Sequence, residues 1–390
     1  MKRTIEKAAI LSLSLLLVST YSVSSALPAM LEHFADRPQV QIEQLISITS
    51  LAIMIVIILN NWISRWISQR VSIVTGLILL CVCGSAPLYV QSYELVLAAR
   101  ILLGVGIGLV NAHAINMINE RYEGQERTVL LGYRGSAEVL GNAVLTLIAG
   151  RLLVYGWNRA FAIYLAGLPI LVLYLLFVPK KEKHADTKDT DNQVHGNTAD
   201  TRPYTGFLVR TVAFGVLLIC INSCMSMRIP GLVLERNMGS DSDSSIVLSM
   251  MLLMGIMAGI VFGKLVQVLK GWFTAMHLFL FACGLLLVAF SQHIVVLAMG
   301  AMMAGFACNI LVTILFQRVS EKLPAELMAL GTTCALVGCN MGSTVSAMML
   351  RVIGIFSDGI SVPFLVYAAA TGLLGVITAV LVKSKYNEGK

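Results

Sequence analysis

The sequence predicts an all-α polytopic membrane protein of twelve transmembrane helices in two six-helix bundles, and three observations carry that prediction. Apolar residues make up 57% of the chain and charged residues only 13%, a balance that excludes an ordinary water-soluble domain. The apolar residues gather into nearly uncharged stretches of about 20, the length that crosses a hydrocarbon core about 30 Å thick. Between Lys180 and Arg202 the pattern stops, and KKEKHADTKDTDNQVHGNTADTR separates two groups of six such stretches.

The first stretch, 8–30, follows Lys2, Arg3 and Lys7. The second, 42–63, lies between Arg37 and Arg65, and the third, 71–91, follows Arg70. The fourth, 94–118, closes before Arg121; the fifth, 128–153, follows Arg127; the sixth, 158–179, ends at Lys180. Beyond the polar run, 206–234 follows Arg202 and ends before Arg236, and 244–269 ends at Lys270. The stretches 272–291, 294–317, 326–352 and 361–382 complete the set, with Arg318, Lys322, Arg351 and Lys383 in the connections and tail. Residues 1–179 are thus expected to form one bundle, 180–205 a hinge loop and 206–390 the second bundle. In the hinge, His184 and His195 stand among aspartates and could bind a divalent ion, but the charged low-complexity composition points to a flexible tether.

Orientation follows from the basic residues, which are retained on the cytoplasmic side. With the N-terminus inside, the outer loops hold only Arg37, Arg151, Arg159, Arg236 and Arg351, while the termini, hinge and remaining loops carry most of the other Lys and Arg. Both termini are expected in the cytoplasm. The formal charge of +7 then needs no nucleic-acid partner, since an anionic inner leaflet accounts for it. Lys2-Arg3, an apolar run and Ser-Ser-Ala-Leu-Pro-Ala also imitate a cleavable signal peptide, but cleavage would leave eleven spans and invert the charge pattern. All 8 cysteines fall in apolar stretches and read as small hydrophobes, not as a disulfide framework.

The two groups of six are related. NERYEGQERTVLLG near the fourth and fifth stretches matches FQRVSEKLPAELMALG near the tenth and eleventh, and Leu140-Gly141-Asn142 matches Asn340-Met341-Gly342. The order and offset indicate a parallel six-span repeat, giving two pseudo-symmetric bundles with a site between them near mid-membrane.

On these residues the chain resembles the major facilitator superfamily, and within it the twelve-span drug:proton antiporters and sugar-efflux carriers. Ala26-Leu27-Pro28 resembles the turn that ends the family's first span. Arg100 followed by Leu103-Gly104-Val105-Gly106-Ile107-Gly108 resembles its fourth, and Gly150 with Gly156-Trp157-Asn158-Arg159-Ala160-Phe161 its fifth and the turn beyond. Asn340-Met341-Gly342 resembles its eleventh. The family's Gly-x-Leu-Ala-Asp-Arg loop after the second span is here Asn61-Trp62-Ile63-Ser64-Arg65-Trp66, without the aspartate, and Gly141 to Gly150 lacks the antiporter proline. The resemblance implies proton-coupled efflux of a small organic molecule by a monomer in the bacterial cytoplasmic membrane, without a cofactor. An uncoupled facilitator or importer on the same fold is the alternative.

Ionisable side chains at mid-membrane depth are the candidates for coupling. Glu138 lies about ten residues into the fifth stretch, roughly 15 Å deep by helical rise. It could exchange a proton or meet a cationic group, or it could be locked in an ion pair with Arg134 one turn earlier. Arg100 is either a buried hub for neighbouring helices, as the resemblance implies, or a residue that snorkels to the interface. Tyr21, Ser25, Asn142, Asn222, Asn309 and Asn340 could bond a substrate in a central cavity or bond a partner helix. Gly104, Gly108, Gly141 and Gly342 are expected to let helices approach closely. His113 and His277 fall near cytoplasmic span ends and are expected to be solvated, and Arg228 to face water or Glu235. Met225, Met227, Met250, Met251, Met254 and Met257 could line an adaptable apolar wall or simply face lipid or fill the core. Cys224-Met225-Ser226-Met227 lacks the repeated spacing of a soft-metal site. No nucleophile and base pair, zinc motif or nucleotide loop marks an enzyme, and a ligand sensor of the same fold remains the non-transport alternative.

Overall fold

Hydrocarbon offers a backbone amide no partner, so apolar stretches of this length pair their amides within themselves and become helices. The computed structural model describes residues 2–17, 19–122, 124–178, 202–357 and 359–388. The hinge histidines and most of the polar run lie outside the described residues. The first half contains α1 (Lys2–Ser14), α2 (Leu27–His33), α3 (Gln39–Trp66), α4 (Gln69–Gly84), α5 (Tyr93–Arg121), α6 (Gly124–Leu152) and α7 (Gly167–Phe177). The second contains α8 (Thr205–Glu235), α9 (Asp241–Leu269), α10 (Phe273–Phe290), α11 (Ile294–Lys322), α12 (Ala325–Gly354) and α13 (Val362–Glu388). Among the described residues, 11 helices are long and apolar enough to cross a membrane, or 12 if the bent pair at the N-terminus counts as one span. The all-helical architecture is therefore the one the sequence predicts, with two local departures.

The first departure is in the first span, which is broken where the sequence suggests a continuous helix over 8–30. The segments Ile5–Ser14 and Ser19–His33 meet at 51°. The cause is the run Ser19-Thr20-Tyr21-Ser22-Val23-Ser24-Ser25, whose hydroxyls compete with the helix for its own carbonyls. Ser19 Oγ donates to Leu16 O at 2.7 Å and Ser24 Oγ to Tyr21 O at 2.6 Å. Pro28 then restarts the helix in the first turn of α2, where its missing amide costs nothing. The second departure is in the sixth span, which runs as a 3-10 helix over Trp157–Ala166 before relaxing into α7.

Glycine contacts show the repeat in three dimensions. A Cβ on Gly104 of α5 would collide with Thr49 O of α3, and one on Gly305 of α11 with Met251 O of α9. Gly76 and Gly106 each face the other's carbonyl oxygen, and Gly284 and Gly300 do the same in the second half. Gly141 of α6 lies against the Leu15 backbone of the first span, as Gly342 of α12 lies against Val216 O of α8, where an added Cβ would sit at 2.5 Å. Gly108 faces Val56, whose Cβ would be 2.7 Å away, a side-chain contact that can yield more easily. Helices packed backbone to backbone in this way gain dispersion contact where lipid offers no hydrophobic drive. Gly141→Val is accordingly expected to cost about 1–3 kcal/mol through forced separation of the first and fifth spans. A lowered melting temperature in detergent checks this; Gly135→Ala, which meets nothing within 4 Å, is the control.

Between the halves, α3 packs on α12 and α6 on α9. With the first span counted as one crossing, the first and last described residues and the span ends at 178 and 202 lie on one side, here termed the terminal face, opposite the distal face. At the terminal face Lys7 and Arg121 pair with Glu126 and Glu6, each at 2.5 Å. Arg70 donates to Val178 O at 2.8 Å and to Leu175 O at 3.3 Å, capping the C-terminal end of α7. Trp62 and Trp66 stand exposed there, where indole rings suit a membrane interface.

Candidate functional site

The break in the first span leaves main-chain carbonyls that need donors, and the fourth and sixth spans supply them. Arg100 is 1% exposed. Its Nη2 donates to Thr20 O at 3.0 Å, its Nε to Leu45 O of α3 at 2.7 Å and its Nη1 to Tyr164 Oη at 3.0 Å. Tyr164 Oη donates in turn to Ser19 O at 3.0 Å. One guanidinium therefore ties four spans around the break, and none of its donors goes to a carboxylate. It does not snorkel.

Glu138 pairs with Arg134 on the same helix, Oε1 to Nη2 at 2.6 Å, with side chains only 20% and 13% exposed. Arg134 Nη2 also donates to Asn111 Oδ1 of α5 at 3.0 Å, while its Nε is buried without a partner. The pair is thus held by the fourth span but retains an unused donor. Of the two roles the sequence left open, the geometry displays the ion pair, in the first half's wall.

The polar candidates divide. Tyr21 crosses to the second half, where its Oη donates to Ser343 O at 2.9 Å and lies 3.5 Å from Ser346 Oγ. Ser25 is fully buried with an unpartnered hydroxyl. Asn142 accepts from Ser22 Oγ at 2.7 Å, binding the broken segment to α6. Asn309 and Asn340 fold back on their own helices, donating to Gly305 O at 2.8 Å and Leu336 O at 3.0 Å. Asn222 is half-buried, and among the described residues its side chain makes no hydrogen bond. Met225, Met227 and Met251 are buried, whereas Met250 and Met257 are exposed.

Three expectations need correction. Arg228 does not pair with Glu235 and is largely withdrawn from water, 18% exposed: its Nη2 lies 3.2 Å from Oε1 of Glu43, in the opposite half. His277 is 4% exposed, its Nδ1 2.8 Å from Phe273 O, because it sits beneath the Phe273 and Phe306 rings. His113 is buried to the same degree and its Nε2 has no partner, since α5 runs on for two more turns and keeps it inside the bundle.

Glu43 is the functional candidate that sequence reasoning missed. It has no exposed surface, accepts from Gln39 Nε2 at 2.8 Å, and keeps Oε2 without a partner, as Arg228 keeps Nε. The signal was faint: a single acid in QVQIEQL at the start of a span reads as an interfacial residue. The other cross-half contacts share its level. Ser249 Oγ of α9 donates to Ala143 O of α6 at 3.0 Å, Gly150 abuts Ser245, and Tyr21 meets Ser343. All of these lie in the distal portions of their spans. No group of three or more His, Cys, Asp or Glu comes together among the described residues.

Comparison with known proteins adds an independent line. The family profile described as Major Facilitator Superfamily matches residues 9–347. The arabinose-proton symporter of Escherichia coli K12 is 24% identical over 163 residues, 41% of this chain and 34% of the symporter. The chain thus aligns with about a third of the length of that curated relative. The inward-open xylose transporter XylE of E. coli is similar in structure, with a TM-score of 0.74, 15% identity, and 97% of this chain and 96% of that chain covered. The peptide transporter POT in complex with alafosfalin has a TM-score of 0.74 at 13% identity over 98% of each chain. The nucleoside transporter NupG has a TM-score of 0.74 at 11% identity over 97% of this chain and 99% of that chain. At these identities the likeness is one of fold.

Proposed function

The chain belongs to the major facilitator superfamily, a family of transporters, and from that premise we propose that it carries a small organic molecule across the bacterial cytoplasmic membrane, coupled to protons. The terminal face is cytoplasmic on this reading, because the lysine- and arginine-rich connections lie there. Residues 1–179 and 206–390 rock as two bundles joined by the 180–205 hinge, around a central cavity faced by polar groups such as Asn222 and Asn340. A single chain carries both halves of this device, so a monomer suffices.

The observation that carries the proposal of proton coupling is the Arg134–Glu138 pair. A charged pair within a span is costly and is retained where it does something. Protonating Glu138 cancels its charge and releases Arg134, which already has one unused donor and can turn to a substrate oxygen. Loss of the proton restores the pair and ejects the substrate. Proton and substrate states are thereby linked through one guanidinium, which serves antiport or symport according to which gate opens in each state.

Export by antiport is the direction supported by the sequence resemblance to drug:proton antiporters and sugar-efflux carriers. The stretch similar to an arabinose-proton symporter supports the second reading, uptake of a sugar-like solute together with a proton. The distal cross-half contacts support an assignment of this conformation as closed to the outside and open to the cytoplasm, with Glu43 and Arg228 as the outer latch.

Proton flux in reconstituted vesicles, with a panel of sugars, lipophilic cations and amino acids, tests the coupling. Substrate-triggered alkalinisation or acidification is expected in the native protein, its sign giving symport or antiport. Glu138→Gln is expected to abolish the proton movement while substrate counterflow continues. Proton flux that persists unchanged in Glu138→Gln removes that residue as the coupling group.

A further inference from the structure

The second bundle contains a cavity of about 740 Å³ at its terminal end, where α8, α10, α11 and α13 diverge. Its wall carries three cations, Arg210, Arg318 and Lys322, with Tyr204 and Thr274 beside them. Among the described residues none of the three forms a salt bridge, and Glu321, one turn on from Arg318, is the acid that acts on that guanidinium through space. Arg318 Nη2 donates to Thr274 Oγ1 at 2.7 Å, Lys322 Nζ sits 5.2 Å from the centroid of the Phe207 ring, and Arg210 has no hydrogen-bond or ion-pair partner among the described residues. Glu321 accepts a hydrogen bond from Gln317 Nε2 at 2.6 Å, so its contact with Arg318 is electrostatic only. Across the cavity α13 contributes Leu374 and Thr378, which bring no acid. Three clustered cations with a single acid, Glu321, acting on one of them leave a net positive wall that attracts an anion, and guanidiniums favour the oxygens of a phosphate.

The rest of the cavity is mostly apolar, with Thr211 and Thr378 the exceptions. Phe214 and Leu278 form part of its lining, and α13 exposes Val380 and Leu381 close by Thr378 in the chain. The volume is that of a pocket for a ligand larger than an inorganic ion. A cationic rim at span-end level, with an apolar interior beside a lipid-facing helix, matches a molecule with an anionic head and an apolar body.

We propose that this cavity binds an anionic phospholipid of the leaflet at the terminal face, its phosphate between Arg210, Arg318 and Lys322 and its glycerol and proximal acyl chain on the apolar floor. The site lies wholly within the second bundle, apart from the Arg134–Glu138 pair and the Glu43–Arg228 contact. A lipid there braces the ends of four helices and stands or falls independently of the transported substrate.

Native mass spectrometry of the full chain, titrated with phosphatidylglycerol or phosphatidylcholine, tests the assignment. Phosphatidylglycerol is expected to bind about tenfold or more tightly than phosphatidylcholine, and Arg210→Gln with Lys322→Gln to erase that preference. Both positions are exposed, so the double variant should fold; an unchanged melting temperature in phosphatidylcholine verifies it. Thr378→Trp, which fills the cavity without altering charge, should also lose binding, and Lys264→Gln, outside the cavity, should not. Equal affinity for the two lipids, or an undiminished preference in both cavity variants, would overturn the proposal. Displacement of phosphatidylglycerol by glycerol 3-phosphate or inorganic phosphate at similar concentration would overturn the lipid as the ligand.

Discussion

Truncating Arg228 to alanine is expected to shift the protein from a distally closed to a distally open state. Glu43 has no exposed surface, and Arg228 is the cation that faces it, at 3.2 Å. Removing one partner of a buried pair costs about 3–5 kcal/mol because the other charge is left without compensation. If opening of the distal face hydrates Glu43, that cost falls on the closed state alone, and the open-to-closed ratio rises by roughly two to four powers of ten. Spin labels at Tyr155 and Phe356 would read the change, since both side chains are exposed, at 77% and 84%, on the distal ends of opposite halves. A longer distance distribution is expected in Arg228→Ala. The double variant Glu43→Gln, Arg228→Met should move back towards the native distribution, because removing both charges leaves nothing stranded. An unaltered distribution in Arg228→Ala would sink the latch.

The same pair shows where sequence reading stops. A carboxylate at the edge of a span costs little at headgroup level, so Glu43 alone gives no sign of burial; its meaning lies in a partner 185 positions away on the other half. The spans were legible because hydrocarbon imposes one solution on a long apolar stretch, whatever its neighbours do. Close helix contacts were legible for a related reason: a glycine in a span has few uses other than approach, and Gly104, Gly141 and Gly342 each abut a neighbouring backbone. Asparagines are not legible in this way. An amide serves equally in bonding another helix, as Asn142 does, or its own, as Asn309 and Asn340 do, and only the three-dimensional neighbourhood decides. The break in the first span was hidden because serines are tolerated in intact membrane helices. What permits this one to unwind is a donor 80 positions on, Arg100, and another 145 positions on, Tyr164.

That dependence makes Arg100→Leu the substitution with the largest expected effect on folding. Leucine fills much of the space but leaves Thr20 O, Leu45 O and Tyr164 Oη without the donor they share. A buried polar group deprived of its partner costs about 1–3 kcal/mol, and three such losses approach the whole stability of a typical domain, about 5–15 kcal/mol. Arg100→Lys keeps the charge but concentrates its donors at one point, so it cannot reach three spans together, and partial rescue at most is expected. Tyr164→Phe removes two of the cluster's bonds, its own to Ser19 O and the one it accepts, and should fall between the native protein and Arg100→Leu. Melting temperature in detergent and the yield of monodisperse protein would rank the three. An Arg100→Leu protein that melts with the native one would mean that the broken span supports itself, and that the guanidinium is held for transport, not for architecture.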